Sequence, residues 1–284
     1  MSQTQLSSSG ASLSRSLPLV LIGAGKMGGA MLAGWLAGGL DGEQVTVVDP
    51  FLSSEMQSLC ECHKVAVRQS VTGLSVTPSV LLVAVKPQMM ADVLPELAAL
   101  AGPDSVVVSI AAGTPIRQFE DIFGDQTAVV RVMPNTPAQV GRGISAVIGN
   151  DHFPDNMRAT IDALLESIGS VQWLSSEEQM DAVTAVSGSG PAYVFLLAEE
   201  LAKAGVAAGL PEDMARRLAR ETVSGAGELL RQSDLAAGTL RENVTSPGGT
   251  TAAALSVLMA DDGFQPLLER AVAAAARRSR ELAG

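Results

Sequence analysis

Apolar residues follow two different rhythms along this chain. From Leu19 to about residue 175 they gather in short runs: Leu19–Ile22, Val45–Val48, Val65–Val67, Val80–Val85, Val106–Ile110, Ala128–Val132, Ile144–Ile148 and Val171–Leu174. Valine-rich runs of this length, closed by glycine, proline or charged residues, suit strands buried on both faces. The stretches between them are long enough for helices; one of these is expected to end near Cys60–Lys64. Alternating strand and helix predicts an α/β fold with a doubly wound, mainly parallel sheet, with the last two runs as closing edge strands.

From Ser176 onward no strand pattern appears. Ser176 followed by Glu177 and Glu178 reads as a helix start, a capping hydroxyl followed by acids in the first turn. Ser187-Gly188-Ser189-Gly190-Pro191 is expected to interrupt that helix, with Pro191 in the first turn of the next. Further helices are expected over 192–208, 211–231, 234–240, 250–259 and 264–282. Arg277, Arg278 and Arg280 sit where cations favour a helix C-terminus. This half is alanine-rich and apolar on more than one helix face, which predicts burial against a second copy of the chain. The expected organisation is therefore a polar, Ser-rich disordered tail over 1–16, a sheet domain over 17–175 and an all-helical domain over 176–284.

Candidate chemistry enters at the first strand. Leu19–Ile22 runs into Gly23-Ala24-Gly25-Lys26-Met27-Gly28, after which Met31, Leu32 and Trp35 recur at helical spacing. Strand, G-x-G-x-x-G and helix, in that order, form the dinucleotide-binding signature of a Rossmann-type sheet. Gly23 permits the tight turn, Gly25 lets a pyrophosphate approach the backbone, and Gly28 lets the helix pack against the strand. The alternative is a glycine-rich turn in some other α/β protein. Asp49 ends the second strand about twenty residues beyond the last glycine, where this fold places an acid on the adenosine ribose; the plainer reading is an ordinary acidic strand end. Lys86-Pro87, after the strand that closes with Ala84 and Val85, is either a cation aimed at the cofactor crevice or a solvated lysine before a turn. Ile110, Ala111 and Ala112 are small enough to leave room for a flat ring, and Met133-Pro134-Asn135-Thr136-Pro137 is a rigid loop at another strand end.

Charge and cysteine content narrow the classes. The formal net charge is −11 over 284 residues. That argues against a basic nucleic-acid face and against docking on anionic lipid, and no apolar run reaches membrane-spanning length. Cys60 and Cys62 are the two cysteines and, with His63, form a cluster too poor in further ligands for a metal site; no metal is expected. The N-terminal stretch lacks the apolar core of a secretion signal, so the expected location is the cytoplasm.

The most informative stretch is Leu240–Leu255, LRENVTSPGGTTAAAL. It is a glycine pair before a helix start, with hydroxyls at Thr245, Ser246, Thr250 and Thr251. The N–H groups of Gly248, Gly249, Thr250 and Thr251 can converge on one anion, and a small carboxylate is the natural guest. Alone, the stretch reads equally as a well-capped helix.

Together with GAGKMG, AVKPQ (84–88), SIAAG (109–113), RVMPNTPA (131–138) and DAVTAVSGSGPAY (181–193), this stretch makes the chain resemble the pyrroline-5-carboxylate reductase family from Leu19 to about Leu282. The resemblance implies reduction of 1-pyrroline-5-carboxylate to L-proline by NADH or NADPH, in a homodimer or a decamer built from dimers whose helical domains interlock and complete each other's sites. It implies cofactor contacts at Ile22, Gly23, Ala24, Gly25, Lys26, Met27, Asp49, Ala84, Val85, Lys86, Pro87, Ile110, Ala111 and Ala112. It implies substrate contacts at Asn243, Val244, Ser246, Gly248, Gly249, Thr250 and Thr251, with the Thr251 hydroxyl as the catalytic group near the ring nitrogen. Glu177 and Asp234 match positions where the family carries carboxylates near the ligand. Family members that favour NADPH usually carry a small polar residue where this chain has Asp49, so NADH use at least equal to NADPH is expected. Two alternatives remain. A β-hydroxyacid dehydrogenase shares the layout but needs a helical lysine followed four residues on by asparagine; Lys203, the one lysine of the helical half, is followed there by Ala207. A non-catalytic dinucleotide sensor explains the glycine motif but not the hydroxyl-rich anion loop.

Overall fold

The computed structural model describes residues 17–283; the expected tail over 1–16 lies outside the described residues. The strands are β1 (Leu19–Ile22), β2 (Val45–Val48), β3 (Ala66–Arg68), β4 (Val80–Val83), β5 (Val106–Ser109), β6 (Ala128–Met133), β7 (Gly143–Gly149) and β8 (Gly169–Trp173). They form one sheet in the order β3-β2-β1-β4-β5-β6-β7-β8. All neighbours are parallel except β6 and β7. Helices α1 (Lys26–Ala37), α2 (Ser54–His63), α3 (Met90–Leu97), α4 (Ile116–Phe123) and α5 (Arg158–Glu166) carry the chain between strands.

Both sheet faces are buried, as the strand runs required. Leu19 and Leu21 pack with Met31, Leu32 and Trp35 in one core, whereas Val20 and Ile22 pack with Leu94, Val107 and Phe119 in another. Trp35 is fully buried, and its indole N–H donates to the Leu164 carbonyl at 2.8 Å, tying α1 to α5. Cys60 packs in the first core, where burial, with a smaller contribution from Glu61, pushes its thiol pKa up; Cys62 is exposed.

The reversal at β7 has a local cause. After β6 the chain turns through a short 3-10 segment, Thr136–Val140, and the left-handed Gly141, with no crossover helix. The Asn135 carboxamide oxygen accepts the Ile144 N–H at 3.0 Å, pinning the turn to the returning strand. Both late runs were expected at the edge, yet only β8 is there. β7 lies inside, hydrogen-bonded on both sides.

The chain divides into two compact units, one running to Gly188 and taking back the chain from Arg278, the other Ser189–Arg277. This division falls later than residue 175, because the first helical turns after β8 stay attached to the sheet. Met180 in α6 (Met180–Val183) is buried, and the Asn135 carboxamide donates to Ser187. The Ser279 hydroxyl donates to Asp181 at 2.6 Å, holding the end of the last helix to the same unit. The expected break at the Ser-Gly-Ser-Gly-Pro stretch is a π-helical segment, Thr184–Gly188, followed by α7 (Gly190–Ala207). A widened turn keeps the backbone hydrogen-bonded where a full break would expose it.

The second unit holds α7, α8 (Glu212–Gln232), α9 (Ala237–Asn243), α10 (Thr250–Leu258) and most of α11 (Phe264–Ala283). α7 and α8 meet through small residues: a Cβ on Gly205 would lie 3.2 Å from the Ala215 Cβ. The buried apolar side chains of this unit are alanines, Ala202, Ala215 and Ala219, with Pro191 at the start of α7. Its large apolar side chains are open: Phe195 is 68% exposed, Leu229 66% and Val257 71%. Alanine burial alone supplies little of the hydrophobic free energy a domain needs.

Candidate active site

The glycine loop sits at the switch point of the sheet. From β1 the chain winds outward to β2 and β3, then crosses back so that β4 lies on the other side of β1. The crevice between the carboxyl ends of β1 and β4 is where open α/β sheets take ligands. The Gly23 N–H donates to the Val48 carbonyl at 2.9 Å and the Ala84 N–H to the Ile22 carbonyl at 2.8 Å. Ile22, Gly23, Ala24, Asp49 and Ala84 are thereby gathered at one edge, and Ile110 joins them through its N–H bond to the Val83 carbonyl at 3.1 Å.

The three motif glycines separate by what surrounds them. Gly23 has φ +87°, and a Cβ there would meet the Ala84 carbonyl oxygen at 3.0 Å. A Cβ on Gly28 would sit 2.1 Å from the Gly23 carbonyl oxygen, so α1 packs on the turn at backbone distance. A Cβ on Gly25 meets nothing within 4 Å. Gly25 is the N-cap of α1 with no side-chain cap, so the first-turn N–H groups and the positive end of the helix face open space. These residues fit a pyrophosphate. Lys26 and Lys86 are exposed beside this edge, and Met27 and Val85 are half-buried. Pro87 opens a short 3-10 turn after Lys86. Ala111 is buried and Ala112 half-buried in the loop after β5.

Asp49 does more than either sequence reading supposed. Its Oδ2 accepts the Ala24 N–H at 2.8 Å and its Oδ1 accepts the Phe51 N–H at 2.8 Å. The carboxylate thus holds the glycine loop and the turn after β2 together, with one lone pair left on each oxygen for a hydroxyl. Phe51, 88% exposed, escaped the sequence reading, because a lone phenylalanine in a loop carries no periodic signal.

Glu177 is drawn to the sheet. Its Oε1 accepts from the Arg131 guanidinium at 2.7 Å and from the Ile116 N–H at 2.9 Å. Arg131 is buried, so the pair is a partly buried, charge-assisted contact that also caps α4. Arg131 thus has a structural role in holding Glu177, which its place as a cation in an apolar strand and at the head of RVMPNTPA did not specify.

The Ser246–Thr251 stretch lies in the second unit. Asn243 ends α9 and Val244, 68% exposed, follows it. The Thr245 hydroxyl donates to the Arg241 carbonyl at 2.6 Å, so it is turned onto α9. Gly248 is left-handed at φ +69°, and the Gly249 N–H returns to the Ser246 carbonyl at 3.0 Å. Gly249 caps α10 without a side-chain hydrogen bond. Ser246 and Thr250 are exposed and Thr251 is half-buried. An uncapped helix start flanked by hydroxyls offers donors to a carboxylate. Asp234 is exposed on the link between α8 and α9. Lys203 is engaged on its own helix: Glu199 first, then Glu200, hold its ammonium at 2.7 and 2.8 Å and raise its pKa.

A doubly wound sheet with this glycine loop at its switch point defines a dinucleotide-binding protein of the Rossmann type. A family model described as pyrroline-5-carboxylate reductase dimerisation matches residues 177–282, and one described as NADP oxidoreductase, coenzyme F420-dependent, matches residues 18–113. The chain is 39% identical to the pyrroline-5-carboxylate reductase of Haemophilus influenzae over 93% of its own length and 97% of that protein. The chain belongs to the pyrroline-5-carboxylate reductase family. The relative from Pseudomonas aeruginosa is likewise 39% identical, over 93% of this chain and 96% of that protein. The solved structure of the Coxiella burnetii pyrroline-5-carboxylate reductase superposes with a TM-score of 0.88 at 31% identity, covering 95% of this chain and 100% of that one. The Plasmodium falciparum pyrroline carboxylate reductase, solved with NADP bound, superposes at 0.79 with 29% identity over 94% and 98% of the two chains.

Proposed function

We propose that this protein reduces 1-pyrroline-5-carboxylate to L-proline, the last step of proline biosynthesis. The observation that carries the reading is end-to-end similarity to reductases of that name, and the uncapped, hydroxyl-flanked start of α10 supports it. The bound nicotinamide supplies a hydride. The chain's own task is to hold and orient: Ser246, Gly248, Gly249 and Thr250 offer donors to the ring carboxylate, Asn243 and Val244 border it, and the Thr251 hydroxyl lies toward the ring nitrogen. A protonated imine is its own electron sink, so no acid from lysine or histidine is needed. Asp234 is an exposed carboxylate on the substrate side, whereas Glu177 acts through Arg131. Lys203, tied to two glutamates and followed by Ala207, does not suit an alcohol-oxidising enzyme. Oxidation of reduced nicotinamide on adding the imine, and none on adding β-hydroxyacids, is the expected outcome; no oxidation with the imine would defeat the reading. A cytoplasmic location fits the need for a pool of reduced cofactor.

The open apolar faces of the helical unit support a homodimer as the working form, with a decamer of five dimers as its larger assembly. The interface is expected to exceed about 1,600 Å², and an active species at monomer mass in light scattering during turnover would refute it.

Asp49 supports NADH use at least equal to NADPH. Its free lone pairs can accept ribose hydroxyls, while the 2′-phosphate of NADPH meets it as like charge. At a partly solvated site that repulsion is worth about 1–2 kcal/mol, a preference of roughly tenfold. Asp49→Ser is expected to move the ratio of kcat/KM values toward NADPH. Strong NADPH preference in the wild type, or an unmoved ratio in the variant, would sink this role.

A further inference from the structure

The adenosine end of the sheet holds a cation that the linear sequence hides. β3 runs parallel to β2 with Val48 opposite Arg68, and the Asp49 N–H donates to the Arg68 carbonyl at 3.0 Å. Arg68 is therefore the neighbour of Asp49 at the carboxyl edge. It is the last residue of its strand and exposed, and its Nη1 donates to the carbonyl of Val67 at 2.9 Å. Among the described residues no carboxylate pairs with it. Asp49, by contrast, is fixed, each oxygen already accepting one backbone N–H.

The two charges are suited to different partners. A carboxylate accepts from hydroxyls and repels phosphate, whereas a guanidinium fork matches a phosphate monoester. In the stretch from Pro50 to Gln57 there is no lysine or arginine, and Glu55 adds negative charge. Strand pairing, not the stretch that follows Asp49, brings Arg68 beside it. We propose that Arg68 is a specificity-determining residue that receives the 2′-phosphate of a phosphorylated adenosine ribose. Asp49 and Arg68 together then set the choice between the two nicotinamide cofactors, and the chain accepts both. The assignment rests on the reading of the glycine loop as the dinucleotide site.

The test is direct binding by calorimetry, on the full chain, of adenosine 2′,5′-bisphosphate and adenosine 5′-monophosphate. Arg68→Gln is expected to weaken the bisphosphate about three- to tenfold, the size of a screened charge contact at an exposed site, and to leave the monophosphate unchanged. Arg68→Lys, which keeps the charge but loses the fork, is expected to fall between. Equal weakening of both ligands, or of neither, overturns the assignment. Asp49→Ser separates the two readings: if it leaves the ratio of affinities at the wild-type value while Arg68→Gln shifts it, the ribose role of Asp49 fails and Arg68 stands. If neither ligand binds the wild type, the glycine-loop reading falls and the assignment with it.

Discussion

Thr251→Ala is expected to lower kcat/KM for the imine by roughly ten- to a hundredfold, in a protein that stays folded. Thr251 is the second residue of α10, half-buried, behind an N-cap glycine that offers no side-chain hydrogen bond. Alanine is a better helix former than threonine, so the helix itself tolerates the change. On the proposed reading, what is lost is a hydroxyl beside a ring nitrogen that carries positive charge. A hydrogen bond to a charged group is worth about 1.5–3 kcal/mol, which sets the size of the effect. Thr251→Ser keeps the hydroxyl and is expected to retain most of the activity. Steady-state kinetics beside a thermal melt provide the check: wild-type kinetics in a folded Thr251→Ala protein would remove Thr251 from the mechanism.

Gly28→Ala and Gly25→Ala are expected to fail in opposite ways. A Cβ on Gly28 would sit 2.1 Å from the Gly23 carbonyl oxygen, a main-chain atom that cannot swing aside. Either α1 lifts from β1 or the turn deforms, at a cost of about 3 kcal/mol, the upper end of ordinary overpacking. The melting temperature should fall by roughly 6–12 °C. A Cβ on Gly25 meets nothing within 4 Å, so Gly25→Ala should melt with the wild type. If the glycine loop takes the pyrophosphate as proposed, its methyl would occupy the space of that approach, so cofactor affinity should drop. Thermal melts with calorimetric titration of the cofactor separate the two. A stable Gly28→Ala protein, or a Gly25→Ala protein with wild-type affinity, would contradict the roles assigned to these glycines.

The sheet and its glycine loop were legible in sequence because both rest on short-range patterns. Leu19–Ile22 alternates its residues between two cores, which a continuous apolar run implies. The glycines of the loop differ in what a Cβ would meet, a backbone geometry that their spacing anticipates. Helices were legible where Pro191, Pro211 and Gly209 punctuate them. The π-helical segment at Thr184–Gly188 was not, because glycine and serine signal a break equally well. The position of β7 inside the sheet was not either, since strand order depends on partners distant in the chain.

What the sequence by itself determined is therefore the set of local elements: eight strands, the glycine loop, the acid at the end of β2, and the hydroxyl-rich helix start at Thr250. The tertiary structure decided who stands beside whom. It turned Asp49 into a brace for Ala24 and Phe51, took Glu177 onto Arg131, and set Arg68 next to Asp49. It also showed that the helical unit leaves Phe195, Leu229 and Val257 open. The physical reason is range. Helix starts, glycine turns and strand runs are specified within a few residues by backbone sterics and hydrophobic period. Ion pairs, strand register and the burial of a helix face arise only when segments far apart in sequence are brought together, and no local pattern records those meetings.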